Sequence, residues 1–354
     1  MVDHPPPAPV RSRSRVSIVI PCFNYARYLD AAINSALAQP DVDLEVIVAD
    51  NCSTDGSLDL ARRRAAADSR IRVTTQPYNK PYLENYNEAL AAATSEFVTV
   101  LDADDLLTPG SITRSVALLQ AHPDVAFTYG YCRPFEDSPP EPKIGRTRWV
   151  VWNGPEWLDR FMRMGRNVIL SPEVLVRRSV LEAAGWFDTD FPSGADMLLW
   201  LRCATLGGVG RVDGPDQALY RIHGSNMHYE ESTGQLLEDL RSRARVFEHF
   251  LDHDAPRLPE IDRWRSEYRR AVADYAIRNA FVAFDSGSEQ GRTVGTGSAA
   301  LAEELLPEIV GERRWKQLMR RRDGAYPLWR RRLDVAARVV RHRSATLLRR
   351  RLER

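Results

Sequence analysis

The sequence predicts an α/β protein: a mainly parallel sheet flanked by helices, followed by a helical C-terminal region. Three observations predict it. Short β-branched runs alternate with helically spaced segments from Val16 to Tyr131, the signature of βαβ units. The first two runs, VSIVIP and LEVIVA, are mostly apolar and read as buried, as strands of a parallel sheet covered on both faces are. Beyond about Glu230 the pattern turns almost wholly helical.

Each element has its own signal. Val16–Pro21 (VSIVIP) and Leu44–Ala49 (LEVIVA) read as buried strands, as do Ile71–Thr75, Phe97–Leu101 (FVTVL) and Val125–Tyr131. Between them Tyr28–Ala38, Ser57–Ala67, Leu83–Ala93 and Ser111–Ala121 carry helical spacing, the last after the Pro109-Gly110 break. Asp137–Arg148 is rich in Pro and charge and reads as a surface loop. Gly154–Met164 and Arg178–Ala184 read as helices, Asp196–Leu206 as an amphipathic helix and Gln217–Ile222 as a strand. Leu236–Asp252 and Ile261–Phe284 are further helices, and no internal repeat is present.

The chain has 354 residues, 44% apolar and 27% charged, enough for a well-buried core. Its organisation is expected to be a disordered Pro- and Arg-rich lead-in (1–15), an α/β domain (16–230) and a helical region with a basic tail (231–354). The lead-in has no apolar core and so is not read as a signal peptide, and no apolar run is long enough for a membrane span. Cys22, Cys52, Cys132 and Cys203 are irregularly spaced with no C-x-x-C pair, which argues against a zinc knuckle. Cys22 and Cys52 read as small buried residues, and a reducing, cytoplasmic setting is the simplest expectation. The formal net charge of +1 hides an asymmetry: residues 311–354 carry about +12 and the rest about −11.

In open α/β sheets ligands bind beyond the carboxyl ends of the strands, so the residues following each strand are the candidates. Asp102, Asp104 and Asp105 (LDADD) follow the fourth strand. Three carboxylates in four residues repel one another, and a hard divalent cation with a diphosphate offsets that repulsion. A helix-capping acidic turn is the plainer alternative. Asp50 follows the second strand and is placed to accept from a pyrimidine N3–H or simply to form a turn, while Asp55 and Ser57 cap the next helix. Phe23 and Tyr25 follow the first strand and either pack on a base or edge the core. Asp196 opens a helix, whose N-terminus favours its anion, and is the candidate general base. His223 follows the strand-like Gln217–Ile222 and is either structural or a metal ligand.

These pieces, in this order, resemble glycosyltransferase family 2, the inverting enzymes with a GT-A, Rossmann-like fold. The matching segments are VSIVIPCFNYARYL, VIVADNCSTDGS, the stretch from Asn79 to Asn87 before SEFVTVLDADD, GWFDTDFPSGADMLLWLR and YRIHGSN, spanning Val16 to Asn226. The resemblance implies a nucleotide-sugar donor, UDP being the family's commonest nucleotide, and a saccharide or lipid-linked acceptor. It implies that Asp50, Pro21 and Phe23 hold the base and that Asp102 contacts the ribose or the metal's water shell. It also implies that Asp104 and His223 ligate Mn²⁺ or Mg²⁺ and that Asp196 is the catalytic base. Two positions depart from the family pattern: Ala195 stands where a Glu usually precedes the base, and Leu198 where a second acid often follows it.

The basic tail, with Arg320–Arg322, Arg330–Arg332 and Arg349–Arg351 interrupted by apolar residues, reads either as an element for an anionic membrane surface or as a helix packed on acidic protein surface. The first of these would make the protein peripheral at the inner face of the plasma membrane. No nucleic-acid module is present. A nucleotidyltransferase or a dinucleotide-dependent oxidoreductase would need a Gly-rich loop after an early strand, and PCFNYARYL has no glycine. A catalytically inactive relative acting as a scaffold is the remaining alternative.

Overall fold

The computed structural model describes residues 2–224, 233–255 and 258–324. In chain order the elements are β1 (Arg15–Cys22), α1 (Ala26–Leu37), β2 (Asp43–Asp50), α2 (Ser57–Ala67), β3 (Ile71–Thr75), α3 (Tyr82–Ala91), β4 (Phe97–Val100), β5 (Leu106–Leu107) and α4 (Ser111–Ala121). There follow β6 (Val125–Tyr129), β7 (Cys132–Phe135), β8 (Arg148–Trp152), α5 (Gly154–Met164), β9 (Leu175–Arg177), α6 (Arg178–Ala184), α7 (Ala195–Leu206), β10 (Gly208–Asp213) and β11 (Ala218–Arg221). The remaining helices are α8 (Thr233–His249), α9 (Ile261–Ser286), α10 (Glu289–Leu305) and α11 (Arg313–Arg322). They fall into two compact units, Met1–Arg160 with Asn167–Tyr229, and Phe161–Arg166 with Glu230–Arg354.

The first unit is a mixed, mainly parallel sheet flanked by helices. Its eight strands run in the order β3-β2-β1-β4-β9-β6-β10-β8. β1 pairs in parallel with β2 and β4, and β2 with β3. β9 lies antiparallel between β4 and β6, and β8 is an antiparallel edge on β10. β1 shows why its apolar run does not alternate: Ile18 and Ile20 face a cluster with Leu29 and Ile33 of α1 and Val116 of α4, while Val19 is equally buried on the other face. A smaller sheet, β5-β11-β7, joins the LDADD segment to the strand before His223.

Several strands were not evident in the sequence. β8, β9 and β10 are short, and β9 has only three residues held by pairing on both sides. Gly208–Gly210, from the glycine-rich segment, open β10, and at Gly210 a Cβ would lie 2.6 Å from the Leu118 side chain of α4, so a larger residue there would have to displace it. The helix from Ala195 is not amphipathic as expected. Met197, Leu198, Leu199, Trp200, Leu201, Cys203 and Ala204 are all buried, because α7 is covered all round. Cys52, expected to be buried, is half-buried with φ 64°.

The second unit is helical. α9 buries Trp264, Tyr268, Val272, Ala276 and Ala280, one stripe at four-residue spacing. Gly287, at φ 73°, ends α9, and Ser288 caps α10 by accepting from the Gly291 N–H at 2.9 Å. α10 was not singled out by sequence, and α11 was read as part of the basic tail. In α11, Trp315 and Leu318 are buried and Arg321 pairs with Asp285 at 2.7 Å with both side chains nearly buried. Arg314 likewise pairs with Asp274. Residues 325–354, with the Arg330–Arg332 and Arg349–Arg351 clusters, lie outside the described residues, as does Asn226. Among the described residues no helix is long and apolar enough to cross a membrane.

Candidate active site

The carboxyl ends of β1, β2 and β4 open onto a cleft of about 350 Å³. Two loops form one wall and hold each other. Asn24, at φ 59°, donates its N–H to Ser53 Oγ and accepts from the Thr54 N–H. Asp55 accepts from the Ser57 N–H at 3.0 Å, as its capping role predicts, but also from the Ala26 N–H at the start of α1 at 2.9 Å. Thus the second loop also caps the helix that follows the first.

Pro21, Phe23 and Tyr25 line the cleft, and Phe23 is 37% exposed. Asp50 is buried behind it, where its Oδ2 accepts from the Ser53 N–H at 3.0 Å and its Oδ1 has no hydrogen-bond partner. Its neighbour Asn51 lines the cleft instead and clasps the Asn79–Lys80 turn: it donates to Asn79 Oδ1 and Lys80 O and accepts from the Lys80 N–H. Asn87, at the other end of that stretch, pairs with both backbone groups of Phe187. Asn51 was not among the expected site residues.

The acidic cluster lies close enough to Tyr25 to act on its phenol. Asp102 and Asp104 line the cleft, and Asp104 and Asp105 are buried. Tyr86 of α3 donates to Asp102. Burial, and then the charge of Asp104, push Asp102 up to about 6 despite that bond. Burial and both neighbours hold Asp105 well above the ordinary carboxylate range. Asp105 accepts from the Arg221 N–H at 2.7 Å, while its other oxygen is buried without a partner. The Arg221 side chain donates to the Asp104 carbonyl at 3.0 Å and lies over the rings of Tyr28 and Phe135. Burial and the three acids raise the phenols of Tyr25 and Tyr220 as well.

His223 does reach this cluster: its Nε2 is 2.9 Å from Asp104 Oδ2, and its ring stacks on Tyr28. Among the described residues no three His, Cys, Asp or Glu side chains converge as a complete metal cage. The donors present suit a different mode. A hard cation such as Mg²⁺ takes one or two protein ligands and completes its shell with water and phosphate. Two convergent donors beside a buried, under-neutralised carboxylate cluster fit that mode.

Asp196 lies on the same cleft, in the first turn of α7. Asn167 Nδ2 donates to its Oδ2 at 2.6 Å and the Met197 N–H to its Oδ1 at 2.7 Å. Gly194 precedes the helix at φ 103°. Tyr82 of α3 donates to the Pro192 carbonyl, and burial with the charges of Asp196 and Asp102 raises its phenol to about 12. Ala195 and Leu198 are buried and offer the cleft no second acid. Of the residues singled out, the cleft gathers Pro21, Phe23, Tyr25, Asp102, Asp104 and Asp196. His223 joins through Asp104, and Asp50 stays behind the wall. Sequence reasoning missed Tyr82, Tyr86 and Asn167. The four-residue spacing of the two tyrosines on one helix was the one available signal.

The cleft at the strand ends thus brings Asp102 and Asp104 together with Asp196 at the start of α7, where open α/β sheets bind their ligands. Residues 17–182 match the family model described as Glycosyl transferase family 2. An uncharacterized glycosyltransferase of Nostoc sp., alr2836, is 29% identical over 243 residues, covering 66% of this chain and 72% of that protein. The GalNAc(5)-diNAcBac-PP-undecaprenol beta-1,3-glucosyltransferase of Campylobacter jejuni is 34% identical over 119 residues, 33% of this chain and 38% of that one. Several other curated relatives are matched over between 10% and 66% of their length. The crystal structure of S. aureus TarS has the same fold, with TM-score 0.55 and 17% identity over 84% of this chain and 50% of that one. TarS 1-349 in complex with UDP-GlcNAc gives TM-score 0.51 over 83% and 92%. Over residues 17–182 the chain is thus similar to glycosyltransferase family 2.

Proposed function

We propose that the protein is an inverting glycosyltransferase that moves a sugar from a nucleotide-diphosphate donor, a UDP-sugar first of all, to an acceptor hydroxyl. The observation that carries this reading is that Asp102 and Asp104, with His223 beside Asp104, share one cleft with Asp196. Pro21 and Phe23 flank the base, and the unpartnered Oδ1 of Asp50 is the acceptor kept for a pyrimidine N–H reached on donor binding. Asp102 holds the ribose or metal-bound water. Asp104 and His223 are the protein donors for Mn²⁺ or Mg²⁺. When bound, such an ion offsets the negative charge that grows on the departing diphosphate.

Asp196 is the base: held as the anion by its helix N-terminus, it takes the proton of the acceptor hydroxyl as that oxygen attacks the anomeric carbon. A single displacement needs one base and no protein nucleophile, and attack opposite the leaving group inverts the anomeric centre. Phe187, Pro192 and Tyr82 form the wall beside Asp196, where the acceptor enters. The acceptor is a saccharide or lipid-linked saccharide; the C. jejuni relative is named for transfer to a PP-undecaprenol-linked one. The helical region after residue 230 is taken as an addition to the catalytic domain, and its basic tail as the part that meets an anionic membrane surface.

The test is Asp196→Asn. UDP release from UDP-GlcNAc with Mn²⁺ should be lost while UDP still raises the unfolding temperature. Turnover at the wild-type rate would remove Asp196 as the base. Absence of any nucleotide effect on wild type would favour the scaffold reading.

A further inference from the structure

We propose that Asn167 is the positioning residue of Asp196, doing from a neighbouring loop what this chain's helix start does not do with a second acid. This rests on the reading of Asp196 as the base. Asn167 lies 29 residues before Asp196, just before the Ile169–Pro172 segment whose Leu170, Ser171 and Pro172 line the cleft. Its amide is held at both ends. Oδ1 accepts from the Ile169 N–H at 3.0 Å, and Nδ2 donates to Asp196 Oδ2 at 2.6 Å. The first bond turns the amide so that its donor end faces the carboxylate. With the Met197 N–H on Oδ1, the carboxylate has a donor on each oxygen, which fixes the plane of the group.

Two consequences follow. The carboxylate cannot swing with its helix turn, so its orientation toward the acceptor is set before the acceptor arrives. A donated N–H also favours the anion and keeps the base deprotonated to lower pH. Among the described residues, Asp102 at the end of β4 and Tyr82 on α3 register the Asp196 charge. Asp102 is an acid whose charge opposes the Asp196 anion, and Asn167 places a side-chain donor against that repulsion. Ala195, the residue before the base, is 3% exposed and contributes no polar group.

Asn167→Asp is the sharpest variant. It has the same shape and still accepts from the Ile169 N–H, but it presents an oxygen to Asp196 where there was a donor. Asn167→Ala removes both contacts. The full-length chain, labelled with ¹³C at the aspartate carboxyl carbons, is titrated by NMR, the Asp196 signal being assigned by its loss in Asp196→Asn. The midpoint of Asp196 should rise by about one to two pH units in Asn167→Ala and further in Asn167→Asp. The acid limb of UDP release from UDP-GlcNAc with Mn²⁺ should move by the same amount, with UDP-dependent thermal stabilisation unchanged. Adding Asn167→Ala to Asp196→Asn should have no further effect on turnover. A midpoint that stays in place in both variants, even with a lower unfolding temperature, overturns the proposal and leaves Asn167 a loop-holding residue. A shifted midpoint with full turnover in Asp196→Asn overturns the base assignment and the catalytic role built on it, while the contact itself stands.

Discussion

His223 Nε2 lies 2.9 Å from Asp104 Oδ2 although 119 residues separate them. The small sheet makes the contact: β11 pairs with β5, the strand that directly follows the acidic segment, and leads straight to His223. The Arg221 N–H bond to Asp105 ties the same two chain segments together. His223→Ala should therefore weaken Mn²⁺-dependent nucleotide binding by at least the tenfold order that loss of even an outer partner of a metal site costs. Isothermal titration of UDP at several Mn²⁺ concentrations measures it. Metal-free nucleotide binding should stay unchanged.

Asp102→Asn should trade activity for stability. Asp102 holds its proton more tightly in the fold than its ordinary value of 3.8, up to about 6, chiefly through burial and then the charge of Asp104. Such an acid costs nothing below the unfolded value, costs more as pH rises between about 4 and about 6, and carries the full penalty above. The ligand-free Asn variant should thus be more stable than wild type by about 1–3 kcal/mol near neutral pH, with the gain vanishing toward pH ~4. Denaturant unfolding across that range tests the sign. Donor turnover should fall in the same variant.

Phe127 fills the core on the α7 side of the sheet. Its ring meets Trp157 edge-on at 5.6 Å and stacks on Trp200 at 5.6 Å, with no exposure. Phe127→Ala should cost about 3–5 kcal/mol, read from denaturant unfolding.

At Gly154, the start of α5, a Cβ would lie 2.0 Å from the Ala204 carbonyl and 2.9 Å from that of Gly207. Both atoms are backbone and cannot turn aside. Gly154→Ala should destabilise by about 1–3 kcal/mol or more, and larger residues should not be tolerated. Thermal unfolding of the variant measures the loss.

Much of this was legible in the sequence, and the reasons are physical. β1, β2 and β4 are long enough in β-branched residues to identify themselves, and the rule that sites follow strand ends pointed to Asp102, Asp104 and Asp50. Asp50 shows the limit of that rule: the register that ends β2 at Asp50 buries it and turns Asn51 into the cleft. β9 and β10 were hidden because three residues, or a run of glycines, carry no local signal and gain strand character from pairing. α7 was misread because a helix covered on all sides has no polar stripe for periodicity to find. Asn167 was invisible for a related reason: a lone amide in a loop acquires its meaning from a carboxylate 29 residues away.

The most direct test of the account is the unfolding temperature of the wild-type chain with UDP, dTDP, GDP and CDP, each with and without Mn²⁺, beside Asp104→Ala. A nucleotide at a hundred times its dissociation constant stabilises by about 2.7 kcal/mol, a readily seen shift. UDP should stabilise the wild type strongly only with Mn²⁺, and Asp104→Ala should abolish the metal-dependent part. No shift with any nucleotide, or an undiminished metal-dependent shift in Asp104→Ala, would contradict it.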